Sequence, residues 1–573
     1  MEEAINIFDL PYWRSLFVRH CIDFMHNEKN VCDSVIGTLL NIPGKTKDGV
    51  TSRKDVVDMG IRKEFAAEER GKSTYLPPAC HTLSRKEKIA FCECLSGIKV
   101  PSGYSSNIRS LVSMKDLKLV GLKSHDCHAL MQQLLPVAIR SILPAGVRHA
   151  IMRLCFFYNA ICNKVIDPEK LDDLQKDFVV TLCQLEMYFP PSFFDIMVHL
   201  TVHLIREIKL CGPVYLRWMY PFERYMKILK GYVRNRNRPE GSIIECYIAE
   251  EAVEFCSEYL SNVEAVGLPK SMYTNKKDFM STSAARVVSV SRDLINEAHR
   301  YILHNSDEVQ PYITQHMDCL RQMNPAKSKR EKWVLDQHNK LFSDWFRHRI
   351  DSELSRSGDL ISETLKWLAS GPRMDVLSYS GFATNGYCFH TKSHDDRSIV
   401  QNSGVTLVAQ AVHISSAKDK KPLLADMSYY GVIEDIWELD YIMFRVAVFR
   451  CKWVENNNGV KVDDLGFILV DLNKEGHKSD TFILASQAKQ VFYITDPADK
   501  RWSVVLSVKP KILTGCDEEN DTGENVDEVP SFSLGLTREG SNGGDNIEDN
   551  VYAIRNDHLE GILVEDSGKK RKK

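Results

Sequence analysis

Asp23 and His26 stand three residues apart on one face of a helical run. At that spacing a carboxylate can orient an imidazole or share a metal with it; by spacing alone a surface or capping role is the stronger reading. His199 and His203 are four apart, so both imidazoles project from one side of a helix, and Cys92 and Cys94 offer two thiols one residue apart. Two thiolates and two imidazoles compose a closed tetrahedral zinc site. The helix around the histidines is also apolar enough to house them buried and hydrogen-bonded. In His125-Asp126-Cys127-His128, alternate residues could ligate a metal, or Asp126 could cap the helix that follows. Glu223 lies in the first turn of a helical run opened by Pro221, where a negative charge is favoured by the helix dipole in any case. Glu186, Glu245 and Glu250 are lesser acidic candidates. Arg217, Arg224, Lys227, Lys230, Arg234, Arg236 and Arg238 interleave with Trp218, Tyr225 and Tyr232. That stripe suits phosphate contact with base stacking, or is a solvated cationic face. Asn41-Ile-Pro-Gly-Lys-Thr46 is not a phosphate-binding loop, because Leu39 stands where glycine is required and no strand precedes it.

The elements that must position these residues follow from periodicity. Residues 1–35 read as helical, Leu40 to Gly60 as a loop, and Ser84 to Leu95 as a helix opened by a Ser84/Glu87 capping box. Val137 to Val165, Leu171 to Tyr188, Ser192 to Leu210, Arg217 to Tyr232 and Ser242 to Asn262 carry apolar residues near the helical period. Residues 265–370 are charged and helix-compatible. Near residue 372 turn signals begin, and strands are expected at Thr406 to His413, Tyr441 to Trp453, Phe467 to Leu472, Gln490 to Thr495 and Trp502 to Val508. Residues 515–549, rich in Asp, Glu, Asn and Gly, read as disordered. The expected fold class is α+β and multidomain: a mainly helical N-terminal two-thirds, a small antiparallel sheet or barrel, then an acidic tail. Domain boundaries fall at 1–109, 110–265, 266–372, 373–512 and 513–573.

Bulk composition narrows the function class. A net charge of −3 over 573 residues gives no global positive field, so any nucleic-acid contact must come from a local patch. No apolar run reaches the ~18 residues of a membrane span, and the acidic N-terminus lacks a signal-peptide layout. The 16 cysteines are scattered through helical, apolar contexts, which suits buried thiols in a reducing compartment. Lys569 to Lys573 form a basic cluster that serves as a nuclear-import signal or is a solvated tail. Neither a membrane nor a small-molecule substrate is expected.

Several longer motifs carry a resemblance. Asp23-Phe-Met-His-Asn-Glu-Lys-Asn30 is similar to a block of plant CACTA-type (En/Spm) transposases. Lys123-Ser-His-Asp-Cys-His-Ala-Leu-Met-Gln-Gln-Leu-Leu-Pro136 resembles the start of the helical DUF4218-type domain. Asn385-Gly-Tyr-Cys-Phe-His-Thr-Lys392, Gln401-Asn-Ser-Gly-Val405, Tyr430 to Leu439 and Asp463 to Asn473 resemble the transposon-associated DUF4216-type domain.

The resemblance implies that 1–109 is the C-terminal remnant of a ribonuclease-H-like core and 110–265 the DUF4218-type domain. It makes 266–372 a charged connector and 373–512 the DUF4216-type domain. It also implies a late catalytic glutamate, matched by Glu223, with Asp23 and His26 in support. The zinc site of the RAG-recombinase and Transib group has the same order of cysteines, histidines and glutamate; the Cys-x-Cys spacing here departs from its Cys-x-x-Cys.

The family's early aspartates lie upstream of the Asp23 block, so the expectation is a truncated, inactive derivative of a DNA transposase. Magnesium or manganese would bind only where a full set of acids assembles, and helices without their sheet would leave apolar surface bare. Transposon terminal DNA, a fuller transposase completed in trans, or another protein are the expected partners, with a domesticated nuclear binding protein as the alternative.

Overall fold

The computed structural model describes residues 10–71, 73–104, 107–259, 279–281, 283–327, 330–357, 361–413, 423–510, 555 and 557–565. Packing divides the chain into two units: Met1–Gly97 with Ser105–Lys276 and Glu539–Lys573, and Ile98–Tyr104 with Lys277–Arg538. The first is mainly helical, and the second carries a large antiparallel sheet. Among the described residues no helix is long and apolar enough to cross a membrane.

In the helical unit the first long helix is Phe24–Leu39. The helix expected from the N-terminus therefore starts later, at Asp23, whose carboxylate accepts the His26 backbone N–H at 3.2 Å. Its apolar stripe of Phe24, Val31, Cys32, Val35 and Leu39 is buried. The loop expected between Leu40 and Gly60 instead contains helix Val50–Asp58. Ser52 supplies its start: its hydroxyl takes the Gly49 N–H at 3.0 Å. Arg53 then anchors it, reaching Asp48 through Nε at 2.5 Å and Nη2 at 2.7 Å. His81 adds a second partner, its Nε2 3.0 Å from Asp48 and its Nδ1 2.8 Å from the Tyr188 carbonyl. Burial alone would lower the His81 pKa, but the Asp48 carboxylate raises it to about 9. Burial would likewise raise Asp48, but the bonds from His81 and Arg53 hold it well below the usual carboxylate range.

The long helix expected over Val137 to Val165 is divided at Pro144, with Ala145–Ile161 as its main part. The one expected over Ser192 to Leu210 is divided into Ile196–Thr201 and Leu204–Cys211. Gly212, at φ +81°, closes the latter in a conformation costly for other residues. Part of the expected tail is ordered. Ile562–Glu565 pairs antiparallel with Ser73–Leu76, and Arg555 holds both Glu87 oxygens at 2.8 and 2.7 Å. A side chain at Gly561 would meet the Leu76 carbonyl oxygen at 2.2 Å, so only glycine fits there. The acidic stretch 515–549 and the Lys569–Lys573 cluster lie outside the described residues.

In the second unit, Gly404–His413 pairs antiparallel with Leu423–Asp440, and that strand with Arg445–Val454. Lys489–Thr495 joins Gly404–His413 and pairs with Ser503–Ser507. Strand Leu423–Asp440 is not expected from the sequence. Its charges and a register shift between Ile433 and Asp435 break the period-two alternation that marks strands. Arg450 answers those charges, donating to Asp435 through Nε at 2.7 Å and lying 3.2 Å from Glu434.

The charged helices before the sheet share its core. In Glu331–Ser357, residues Val334, His338, Phe342, Phe346 and Ile350 recur every fourth position and are buried. Phe342, Phe346 and Ile350 join Trp437, Leu439, Val448 and Phe482 of the sheet, and Tyr441 just past its strand, in one cluster. A row of imidazoles crosses these helices. His304 Nε2 lies 3.1 Å from His338 Nε2, and His338 Nδ1 lies 2.9 Å from His316 Nδ1. Burial lowers His304 to about 4 and His338 to about 3, and lowers His316 as well.

These shifts predict acid lability of the second unit. An unfolded histidine titrates near ~6.5, above these folded values, so on acidification the unfolded chain takes up protons first. The stabilisation is complete above that value and is lost as pH falls toward about 4, the folded value of His304. Denaturant unfolding should show a loss on the order of 2 kcal/mol per fully shifted imidazole between pH 7.5 and 5. His338→Leu should flatten that dependence; an unchanged slope would exclude the imidazole row as its source. For His81 the sign is opposite: its contribution is full below ~6.5 and is lost as pH rises through about 9. Asp48→Asn, which strands Arg53, should cost roughly 3–5 kcal/mol in the same measurement.

Candidate functional site

The helix that begins at Asp23 turns two polar faces in different directions. Asp23 and His26 are exposed, whereas Asn27 and Glu28 are buried at 1% and 2% exposure. Glu28 Oε2 lies 2.7 Å from His128 Nδ1, and Gln132 Nε2 lies 3.4 Å from Glu28 Oε1. Cys162 completes a group whose ligand-type atoms all lie within 4.8 Å of one another. The Trp218 ring meets His128 edge-on at 5.3 Å. Beside this pair, Asn27 accepts from the Tyr158 hydroxyl at 2.9 Å and donates to the Met197 carbonyl at 2.6 Å. The buried partnership of Glu28 and His128 was not read from the sequence. Its signal was present: both residues lie inside motifs singled out for their neighbours. In the second motif Asp126 is a cap, taking the Lys123 backbone N–H at 2.8 Å.

His199 and His203 are exposed and converge, with their Nε2 atoms 3.3 Å apart. The thiols do not complete a zinc cage with them: Cys92, Cys94, His199 and His203 form no group of three or more ligand atoms within 4.8 Å among the described residues. The reason lies in helical geometry. Residues two apart on helix Arg85–Gly97 point to nearly opposite sides. Cys92 is fully buried and its thiol is pushed up to about 11 by burial, while Cys94 is half-buried.

Glu223 sits in the first turn of helix Tyr220–Tyr232 and is exposed. No hydrogen bond joins it to Asp23 or His26. The helix has no buried residue, and it contacts the following helix, Pro239–Tyr259. Arg224, Lys227, Lys230, Arg234, Arg236 and Arg238 are all exposed along this hairpin, with Tyr225 among them. Phe222 and Met226 on one helix and Ile244, Ile248 and Phe255 on the other are 57–70% exposed. Arg217 departs from the stripe. It precedes the buried Trp218 and turns inward, its Nη1 donating to Glu207 at 3.2 Å. Glu207 also accepts the Ile22 backbone N–H, at 3.1 and 3.0 Å, so this one carboxylate holds both the N-terminal segment and the root of the hairpin.

Comparison with protein-family models supplies the class of domain. Residues 161–271 match a domain of unknown function, DUF4218, and residues 437–505 match a second domain of unknown function, DUF4216. Both domains expected from the motifs are therefore present, and the cationic hairpin lies within the first. Neither a curated protein nor a solved structure matches the chain.

Removing one partner of the buried Glu28–His128 contact leaves the other without its mate. His128→Ala should therefore lower unfolding stability by roughly 1–3 kcal/mol, whereas His26→Ala, at an exposed position, should change it by under ~0.5 kcal/mol. Equal losses in the two variants would overturn the assignment of Glu28 and His128 as the structural pair.

Proposed function

We propose that the chain is a DNA-binding, nuclear derivative of the C-terminal part of a CACTA-type transposase, catalytically inactive by itself. The observation that carries the reading is the hairpin of Tyr220–Tyr232 and Pro239–Tyr259, whose cations and aromatic residues face solvent rather than a core. A helix of this kind can track a phosphate backbone and stack on exposed bases. The motif resemblance and the two domains support a transposon origin. In this reading Phe24–Leu39 descends from a ribonuclease-H-like core. Strand transfer requires several carboxylates around paired magnesium or manganese ions. Glu223, with Asp23 and His26 in support, is the late part of such a set, which a fuller transposase would complete in trans. The exposed Phe222, Met226, Ile244, Ile248 and Phe255 favour a second reading, in which the same hairpin docks a protein partner.

Binding to duplex DNA carrying CACTA terminal repeats, measured by fluorescence anisotropy across a salt series, separates the two. Phosphate contact predicts a log–log salt slope of about −0.9 per contact. Replacing Lys227, Lys230, Arg234 and Arg236 with serine should flatten it by ~3–4. A slope and affinity unchanged by those replacements would remove the hairpin as the DNA surface. Magnesium-dependent scission by the purified chain alone would refute the inactive reading. In a mixture with a fuller transposase, Glu223→Gln should abolish any gained nicking.

A further inference from the structure

The two arms of the hairpin carry opposite charge. Helix Tyr220–Tyr232 holds Arg224, Lys227 and Lys230 against one acid, Glu223, and Arg234, Arg236 and Arg238 follow in the turn. Helix Pro239–Tyr259 holds six glutamates, Glu240, Glu245, Glu250, Glu251, Glu254 and Glu258, and no lysine or arginine. One side of it faces the first arm: Cys246 is half-buried there and its thiol donates to the Tyr232 carbonyl at 3.8 Å. Its other side is bare. Ile244, Ile248, Phe255 and Tyr259 recur at helical spacing, within roughly 60° of one another around the axis, and are 57–77% exposed. The Phe255 and Tyr259 rings stack at 6.4 Å, as residues on one face do. On the first arm Phe222 and Met226 are 60% and 64% exposed. Apolar surface of this extent is unfavourable in water unless a partner covers it.

We propose that the hairpin is a dimer interface: two copies of the chain pack about a twofold axis, the basic arm of each against the acidic arm of the other. A twofold contact is made twice, so its surface must be complementary to itself. Opposite charge on neighbouring arms, with exposed apolar residues on both, meets that requirement. Like arms placed face to face would repel, which fixes the pairing. Other occupants match only half of the surface. A nucleic acid accepts the cations but is repelled by the glutamates on the second arm, and a partner of a single charge sign suits one arm and opposes the other. The six exposed apolar side chains each offer on the order of 100 Å². Two copies would therefore bury ~1,200 Å² of apolar surface, the size of a specific interface. The proposal rests on the protein-docking reading of the hairpin and names its partner; it requires nothing of DNA.

The test is sedimentation velocity of the full chain across the micromolar range without DNA, together with carbodiimide crosslinking of a mixture of ordinary and isotope-labelled chains. The expected result is a dimer whose interchain links join Lys227 or Lys230 of one copy to glutamates of Pro239–Tyr259 in the other. Ile248→Ser with Phe255→Ser, at exposed positions, should keep the fold and weaken self-association at least ~30-fold. Glu245→Lys with Glu251→Lys and, in a separate chain, Lys227→Glu with Lys230→Glu should each be monomeric alone and should pair when mixed. A monomer throughout the range overturns the proposal, and so does a dimer linked elsewhere or one that survives the serine replacements. A monomer whose hairpin links to a different protein in nuclear extract would sink the dimer and keep the docking reading; a monomer without such a link would sink both. The wild-type mass and link map decide the matter even where a variant folds poorly.

Discussion

A charge taken out of water must meet an opposite charge or a full set of hydrogen bonds, and the helical unit is organised by that requirement. Asp48 meets Arg53 and His81; Glu28 meets His128; Glu207 meets Arg217 and the Ile22 amide. Each carboxylate lies in or beside the first turns of a helix or deep in a helix–helix seam, and most partners are far away in sequence. Apolar packing among Phe24, Val35, Leu130, Ile151 and Phe157 would tolerate some sliding. Paired charges tolerate much less, because displacement strands both members. The polar pairs therefore give this core its register.

The hairpin at Tyr220–Tyr232 and Pro239–Tyr259 is built on the opposite principle. Among its described residues none is buried, and its apolar residues Phe222, Met226, Ile244, Ile248 and Phe255 face solvent beside its cations. Such a surface is costly to leave bare unless something covers it or uses it. Its root, in contrast, is fixed: Trp218 is buried, Arg217 is turned in to Glu207, and Val214 is buried. A firm root with an exposed arm is the arrangement expected of a binding element, and it explains why Arg217 is separated from the other cations of its stripe.

The second unit sets a group of imidazoles into its aromatic core. Its imidazoles at His299, His304, His316 and His338 are held near neutral by burial, and His299 lies 2.8 Å from the Tyr441 hydroxyl. A neutral imidazole donates through one nitrogen and accepts through the other, so a row of them can be satisfied inside an aromatic core where a carboxylate would need a cation. The helices that carry them look solvated in sequence because their outer faces are charged, yet a four-residue recurrence of Val334, His338, Phe342, Phe346 and Ile350 turns the inner face to the sheet.

Local chemistry in the sequence was enough for helices followed by antiparallel strands, for the Asp126 cap and the Ser84/Glu87 capping box, and for the presence of both domains. Those features rest on interactions within a few residues, or on long literal runs. Helix Val50–Asp58 was hidden, because its anchor is the buried pair of Arg53 with Asp48, backed by His81. Strand Leu423–Asp440 was hidden by a bulge that breaks alternation. The partners of Glu28 and Glu207 and the inward turn of Arg217 lay beyond reach for one reason. Spacing along the chain fixes which residues share a helix face, but which face meets which is decided only when distant segments pack and every buried charge has to find its mate.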